Sequence, residues 1–371
     1  MLTKGLTNDR AANLLEPAGL VSVFLDHPPR GFSPCLIGPP DSALAGFATD
    51  FDLTTTLEPP LKRAIDRLPV PRRVRRLWRP RVLFAGTTVT EYLPVPRALD
   101  PETLVAGALQ HAAALDVPLL ILKDIPRDSP LLSAEENEAA ARLREACRRR
   151  GFVIVSGQAL AYVPLDFASE AAYLDTLSRS RRKDLRRKLR SRSLLEIAEL
   201  PTGDPAFADD KFLDELFRLY GNVYAQSLVH FDELTRPFLA ALLRGDHGVV
   251  FLYRLAGVLI GYNLCFVHDG RLIDKYVGFS YPQARGANLY FVSWFHNLQW
   301  ARRHGLREYV AGWTDPEVKS ALGARFTFTD HAVYIRNPAL RFALRRLRRC
   351  FEADSNWADR RAPQPPRGAT A

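Results

Sequence analysis

The sequence predicts a mixed α/β protein, of the α+β kind with mixed sheets, built from two lobes. The chain has 371 residues, which is enough for two domains of ordinary size. Hydrophobic residues make up 47% of it, so it can bury a sizeable core. In its second half, strand-like and helix-like segments follow one another in an order that excludes a plain doubly wound sheet.

The second half opens with a strand candidate, LLEIAEL, and two helix candidates, over residues 205–226 and 231–246. Three strand candidates follow in quick succession: VVFLYRL, VLIGYNLCFVH and RLIDKYVGF. The joint between the last two, Asp269-Gly270, is a strong hairpin signal. These three segments are therefore predicted to form an antiparallel meander.

After the meander, the segment ANLYFVSWFHNLQWARRH predicts a helix that ends at Gly305. A short strand, REYVAG, comes next, and Asp315-Pro316 opens a short helix that stops at Gly323. A last strand, ARFTFTDHAVYI, precedes a basic amphipathic helix over residues 337–352. The predicted order is strand, helix, helix, meander, helix, strand, helix, strand.

The first half is less regular. Strands are predicted at RVLFAG, PLLILKD and FVIVSG, and helices over Pro101–Leu115 and Ala134–Arg150. No glycine-rich turn joins one of these strands directly to a helix. We expect this lobe to be structural or to bind the acceptor.

The charge balance favours anionic partners, because Lys and Arg exceed Asp and Glu by ten. The four cysteines are too far apart in sequence for a metal knuckle or a disulfide scaffold, and the histidines lack metal-ligand spacing. The most apolar window, residues 248–267, contains Arg254 and Asn263, so it predicts paired strands better than a membrane span. Without a recognisable secretion signal, the expected location is cytoplasmic, with no membrane span and no metal.

A strongly basic segment, YLDTLSRSRRKDLRRKLRSRS, lies between the halves. Leu177, Leu185 and Leu189 fall on one helical stripe, and the other faces are almost entirely Arg and Lys. Three interpretations stay open: a solvated bridging helix packed by its leucines, a cationic surface for phosphate or RNA, and a membrane-surface helix. An RNA contact would use Arg181, Arg182, Arg186 and Arg190.

A glycine-bearing turn, YPQARGANLYF, joins the meander to the following helix. A helix that starts near Ala287 would expose unpaired amides in its first turn, with the positive end of the helix dipole. Gln283, Arg285 and Asn288 could add side-chain donors, and Gly286 would let the backbone approach an anion closely. An ordinary capped turn is the alternative, but the surrounding order of elements favours a diphosphate site.

Amide formation needs a base for the acceptor amine, stabilisation of an oxyanion, and a proton for the leaving group. Asp274 and Tyr276 alternate on the strand that ends at the turn, so we expect them to share one face. Asp274 is a candidate base and Tyr276 a candidate proton donor. Backbone amides near Val277 and Gly278 are candidates for binding the oxyanion. A salt-bridged carboxylate and a packed aromatic are the respective alternatives.

This order of elements, with this turn, resembles the GNAT acyltransferase superfamily over about residues 194–335. The resemblance implies a coenzyme A diphosphate site with the pattern Gln/Arg-x-x-Gly-x-Gly/Ala, matched by Gln283 to Asn288, in which Asn288 replaces the second small residue. It also implies that the strand before the turn splays from its neighbour to admit pantetheine. The donor substrate implied is an acyl-coenzyme A.

A narrower resemblance is to the Fem-type and BioF2-like branch, carried by SRSRRKDLRRKLR, HGLREYVAGW and the later Lys319-x-x-x-Gly323. Members of that branch often have two GNAT-like lobes in tandem. The resemblance places Lys319 near the donor, as a candidate catalytic residue. The implied organisation is a degenerate GNAT-like lobe (1–165), a basic bridging helix (166–193), a GNAT domain (194–350) and a disordered tail (351–371).

Three functions stay open. The first is transfer of an acyl group from a coenzyme A thioester to an amine, as in N-acetyltransferases. The second is amide formation from aminoacyl-tRNA, as the Fem-type resemblance implies and the basic segment supports. The third is a binding module that kept the fold and lost the chemistry. The acyl group and the amine acceptor do not follow from the sequence.

Overall fold

The computed structural model describes residues 11–38, 43–56, 63, 67, 78–97, 99–227 and 230–361. Its strands are β1 (Ala11–Ala12), β2 (Ser33–Ile37), β3 (Leu44–Asp50), β4 (Arg81–Ala85), β5 (Val95–Pro96), β6 (Leu119–Arg127), β7 (Val153–Pro164), β8 (Leu195–Pro201), β9 (Gly248–Leu255), β10 (Val258–His268), β11 (Arg271–Phe279), β12 (Glu308–Gly312) and β13 (Arg325–Ile335).

The α-helices are α1 (Gly19–Asp26), α2 (Pro101–Ala114), α3 (Ala134–Arg149), α4 (Glu170–Asp175), α5 (Arg179–Leu189), α6 (Asp210–Gln226), α7 (Arg236–Leu243), α8 (Gln283–Gly286), α9 (Leu289–Arg303), α10 (Pro316–Ala321), α11 (Pro338–Leu347) and α12 (Ala353–Arg361). Short 3₁₀ turns cover Leu53–Thr56, Arg190–Leu194, Pro205–Ala208 and Arg348–Phe351.

One sheet of eleven strands runs through the described residues, in the order β2-β3-β4-β6-β13-β7-β12-β11-β10-β9-β8. Strands β8 to β11 pair antiparallel, as the predicted meander requires, and β11 pairs parallel with β12. Strand β13, from the second half of the chain, lies between β6 and β7 of the first half. The mixed α/β fold with a mixed sheet is therefore confirmed.

The predicted elements of the second half are all present, because local signals specify them. The hairpin at Asp269-Gly270 has both residues at positive φ, as its turn requires. Gly305, also at positive φ, follows the end of α9. In the first half, β4, β6, β7, α2 and α3 match the prediction, whereas β2 and β3 were not predicted.

Helices cover both faces of the β8–β11 region. On one face, α6 and α7 place Leu216 and Phe238 in a core with Leu264 of β10. On the other face, α9 places Phe295 in a second core with Phe251 of β9. Strand β11 lies between the two cores and contributes side chains to both faces.

The basic segment forms α4, α5 and a 3₁₀ turn rather than a single helix over residues 166–193. Leu185 is buried, and Leu177 and Leu189 pack against the same core as α9. The predicted leucine stripe therefore anchors α5 to the domain.

The expectation of a disordered tail is wrong for residues 353–361, which form α12. The carboxylates of Glu352 and Asp354 accept hydrogen bonds from the backbone amides of Ser156 and Ala159 on β7. Trp357 packs edge-on against Phe326 of β13. These partners are distant in sequence, so composition did not reveal them. Residues 362–371 lie outside the described residues.

Candidate functional site

Strands β11 and β12 separate partway along their length. They pair at three positions only, from Arg271 opposite Glu308 to Ile273 opposite Val310. Strand β11 continues to Phe279, but the chain after β12 turns away through residues of positive φ, Gly312, Thr314 and Asp315. Among the described residues, β11 therefore has no partner strand on this side from Asp274 onward, and we call this break in the sheet the gap. The predicted Val277 and Gly278 lie in this stretch of β11.

A β-bulge in β11 changes which way its side chains point. Cys265 of β10 lies opposite Asp274, whereas its neighbour Leu264 lies opposite Tyr276, so Lys275 is the extra residue. Asp274 consequently faces α9, while Tyr276 contacts the ring of Phe238 on the opposite face. The prediction that Asp274 and Tyr276 share a face is wrong, because simple alternation fails at a bulge.

Asp274 lies at the centre of a buried polar network on the α9 face. Its carboxylate accepts hydrogen bonds from Asn263 Nδ2 at 3.1 Å, Asn297 Nδ2 at 3.0 Å and Tyr309 OH at 2.8 Å. Burial raises the pKa of Asp274, and the hydrogen bonds from Asn263 and Tyr309 oppose that rise. The carboxyl group is therefore held in one orientation beside the gap.

Lys319, from α10, lies near this network without a hydrogen bond to it. It is only 6% exposed, and its ammonium donates to the carbonyl oxygens of Gly312, at 3.1 Å, and Trp313. Burial lowers the pKa of Lys319 to about 8, against the opposing attraction of Asp274. Asp274 and Lys319, two of the three predicted catalytic residues, are therefore close enough for each to shift the pKa of the other.

Several polar atoms around Asp274 are buried without a hydrogen-bond partner among the described residues. They are the hydroxyls of Tyr253 and Tyr290 and the Oδ1 atoms of Asn263 and Asn297. The charge of Asp274 raises the pKa of both tyrosines, in addition to the larger effect of burial. Because buried polar groups are normally hydrogen-bonded, a cluster of unpaired hydroxyl and amide oxygens is typical of a site where a ligand or water binds.

The sequence did not reveal these neighbours, although one signal was present. Asn263 is a polar residue inside the most apolar window of the chain, and Asn297 lies on an aromatic helix face. Polar residues at such core positions need partners when buried. Their occurrence in segments that pack on the same face could have pointed to Asp274.

A second charged cluster lies on the opposite face of β11, against the first lobe. Lys275 Nζ contacts Glu91 Oε1 at 2.7 Å and Glu16 Oε1 at 3.9 Å, and both carboxylates are buried. Burial raises the pKa of Glu16 to about 7, and its attraction to Lys275 opposes the rise. Tyr276, on this face, has a buried hydroxyl with no partner among the described residues. No sequence pattern connected Glu16 and Glu91 with β11.

The predicted diphosphate turn differs from the expected geometry in its backbone. The long helix α9 begins at Leu289 rather than near Ala287, because the preceding residues form the short helix α8. The amides of Gly286, Ala287 and Asn288 donate to the carbonyls of Pro282, Gln283 and Arg285. These three amides are therefore paired within the chain, and the prediction that Ala287 starts a helix with open amides is wrong.

The side chains of the turn remain at the surface. Arg285 donates to Gln226 Oε1 at 2.6 Å and lies over the ring of Tyr281, while Gln283 Oε1 accepts from Ser280. Asn288, in the left-handed conformation, donates to Ser191 Oγ at 3.1 Å. A Cβ atom on Gly286 would meet nothing within 4 Å, so the space above it is open. Gln283, Arg285 and Gly286 thus form an exposed edge beside α9.

Helix α5 brings a cationic groove close to this edge. The groove is lined by Arg179, Arg182, Lys183, Arg186, Arg187 and Arg190. Asp175 pairs with Arg182 and Arg186, and Asp184 pairs with Arg187. On the same segment, Lys188 lies over the ring of Phe291, near the start of α9. Of the predicted RNA contacts, Arg182, Arg186 and Arg190 line the groove and Arg181 does not.

No group of three or more His, Cys, Asp or Glu side chains that could hold a metal occurs within the described part of the chain. In that same part, no helix is long and apolar enough to cross a membrane.

Residues 179–320 match the model of a family described as an acetyltransferase (GNAT) domain. This range includes β11, the turn, the gap and Lys319. No curated protein matches the sequence significantly.

Two solved structures share the fold over both halves of the chain. One is the C-terminal domain of a protein named as a lysylphosphatidylglycerol synthetase, from Agrobacterium fabrum, with 14% identity, TM-score 0.52 and coverage of 88% of this chain and 89% of that one. The other is L-PGS from Bacillus licheniformis, with 11% identity, TM-score 0.53 and coverage of 91% and 98%. A structure of FemX also aligns, at 11% identity and TM-score 0.49, over 88% and 97%. At these identities the first two matches establish the fold.

Proposed function

We propose that this protein moves an acyl group from a coenzyme A thioester to an amine, a function supported by the match of residues 179–320 to an acetyltransferase (GNAT) domain. One observation carries the proposal: β11 and β12 part immediately before Asp274, and Asp274 and Lys319 border the gap. A gap in this position could admit the extended arm of a thioester donor. The surrounding unpartnered hydroxyl and amide groups could then bind it.

We assign complementary roles to the two charged residues. Asp274 accepts the proton that the acceptor amine must lose, and its fixed hydrogen bonds hold it in position. Lys319, with a pKa of about 8, supplies positive charge near the developing oxyanion and a proton for the leaving sulfur. The backbone amides of Val277 and Gly278, in the part of β11 beyond its pairing with β12, are further candidates for binding the oxyanion. Tyr276, on the other face, stays outside this scheme unless the acceptor enters there.

The phosphate end of the donor fits the exposed edge formed by Gln283, Arg285 and Gly286, with Asn288 beside it. The backbone amides nearest to Gly286 are paired, so the contacts would come from side chains. Arg285 has no carboxylate partner among the described residues, and its guanidinium is available for a phosphate. The nearby cations of α5 add to the local positive charge.

Calorimetric titration with a panel of acyl-coenzyme A thioesters tests this function. We expect saturable binding that Arg285→Ala weakens about tenfold, since one charged phosphate contact is lost. Arg142→Ala, which removes an exposed arginine of α3 in the first lobe, is the matched control and should bind normally. Lys319→Met should keep binding but lose transfer to amines. If the wild-type protein binds no acyl-coenzyme A, the proposal is wrong.

A second candidate donor, aminoacyl-tRNA, is favoured by the groove on α5. Its Arg179, Lys183 and Arg190 have no carboxylate partner among the described residues, so they are free to contact phosphates. Binding to charged tRNA should weaken steeply with salt, and Lys183→Gln with Arg190→Gln should reduce the salt slope by about two. Binding that is absent, or insensitive to salt, would exclude this donor.

A further inference from the structure

Helix α11 carries an unusual amount of exposed apolar surface. Leu340, Phe342 and Leu347 are 58%, 58% and 57% exposed, and no other helix has three exposed large apolar residues among those described. The helix is held on its other side, where Arg341 stacks over Tyr334 of β13 and Leu344 is half-buried. The exposed residues therefore belong to a firmly placed helix rather than to a loose end.

The exposed residues fall on one side of α11. At about 100° per residue, Phe342, Leu347 and Leu340 span an arc of about 160°. The same arc contains the small residues Ala339 and Ala343. Its one charged member, Arg346, lies over the ring of Phe342. This side of α11, which we call the α11 apolar arc, can pack against a flat apolar surface.

Arginines surround the α11 apolar arc without partner carboxylates. They are Arg345, Arg346, Arg348 and Arg349. No carboxylate of the described residues lies within 4 Å of any of these guanidinium groups. On α5, by contrast, Asp175 and Asp184 neutralise several of the basic residues. The charge around α11 is therefore left for an external anionic partner.

We propose that the α11 apolar arc docks this protein onto the surface of a membrane that contains anionic lipids. Leucine and phenylalanine side chains enter the boundary between headgroups and acyl chains, while the arginines contact lipid phosphates. A nucleic acid would use the arginines but leave the apolar residues in water. A second copy of the chain would bring the same four arginines against these four, which disfavours a symmetric dimer. Only the membrane surface matches both properties.

Cosedimentation of the full-length protein with vesicles tests the proposal. Binding is expected to phosphatidylglycerol–phosphatidylcholine vesicles and to be weak with phosphatidylcholine alone. Leu340→Ser, Phe342→Ser and Leu347→Ser together should reduce partitioning at least about tenfold, because the buried apolar area is lost. The matched control is Leu194→Ser with Val258→Ser, which alters residues of similar exposure elsewhere and should bind normally.

A charge variant separates the two contributions. Arg346→Gln, Arg348→Gln and Arg349→Gln should weaken binding to anionic vesicles and remove most of its salt dependence. If the serine variant is less stable in thermal unfolding, the double variant Leu340→Gln and Leu347→Gln is measured instead. Failure of the wild type to bind anionic vesicles overturns the proposal. So does equal binding by the serine variant, or a dimer that this variant converts to monomer.

Discussion

The two faces of β11 carry buried charged clusters that differ in how their lysines are paired. On the inter-lobe face, Lys275 lies between Glu91 and Glu16, which satisfy its charge. On the α9 face, Lys319 donates to two backbone carbonyls and has no carboxylate within 4 Å among the described residues, and Asp274 accepts from neutral amides and a hydroxyl. Similar residues thus form an ion-paired cluster on one side and an open network without an ion pair on the other, so we assign the first to stability and the second to chemistry.

The sharpest test of this contrast is Lys275→Met. It leaves two buried carboxylates without their cation, so the free energy of unfolding should fall by about 3–5 kcal/mol. Lys183→Met, at an exposed position of α5, should leave it nearly unchanged. Chemical denaturation measures both. A loss as small as that of Lys183→Met would mean that the cluster does not hold the lobes together.

The α9 face should respond to alkaline pH. The pKa of Lys319 is lowered to about 8 from its ordinary value of 10.5, so between pH 8 and pH 10.5 the unfolded chain binds a proton that the folded protein does not. Stability of the wild type should therefore rise from pH 8 to pH 10.5 by about 3 kcal/mol relative to Lys319→Met. Denaturation curves of both proteins across this range give the difference. A constant difference would show that Lys319 titrates normally.

The inter-lobe face should respond to acid pH with the opposite sign. The pKa of Glu16 is raised from 4.5 to about 7. Between pH 4.5 and pH 7 the folded protein therefore binds a proton that the unfolded chain does not. Stability should fall from pH 4.5 to pH 7 by about 3 kcal/mol relative to Glu16→Gln. The same denaturation series measures it. Parallel pH profiles for the two proteins would contradict the inference.

If the open network performs the chemistry, Lys319→Met should lower the rate of acyl transfer at least about a hundredfold, with little change in donor affinity. Lys211→Met, at an exposed lysine of α6, is the control and should transfer normally. Rates are measured with whichever donor the titrations identify. A Lys319→Met protein with wild-type turnover would remove Lys319 from the proposed mechanism.

The smallest effect is expected for Tyr276→Phe. The hydroxyl has no hydrogen-bond partner among the described residues, so its removal should change the free energy of unfolding by less than about 0.5 kcal/mol. Under the proposed roles, transfer should also be nearly unchanged. A large loss of turnover would instead indicate that the acceptor approaches from the face of Glu91.

Local signals explain what the sequence predicted correctly. The meander followed from Asp269-Gly270 and alternating strands, and the end of α9 followed from Gly305. The catalytic role of Lys319 stays a prediction. The features that the sequence did not predict depend on residues outside the segment concerned. The bulge at Lys275 depends on register with β10, the helix α12 depends on β7, and the start of α9 depends on how residues 283–286 coil. None of these features can be predicted from the sequence of the segment in which it occurs.

The position of β13 has a consequence for how the protein is made. This strand lies between β6 and β7 and is synthesised after both, at residues 325–335. Until the ribosome has passed that point, the facing edges of β6 and β7 lack their native partner and expose backbone groups that can pair wrongly. The sheet of the first lobe is therefore completed only after residues 325–335 have been synthesised.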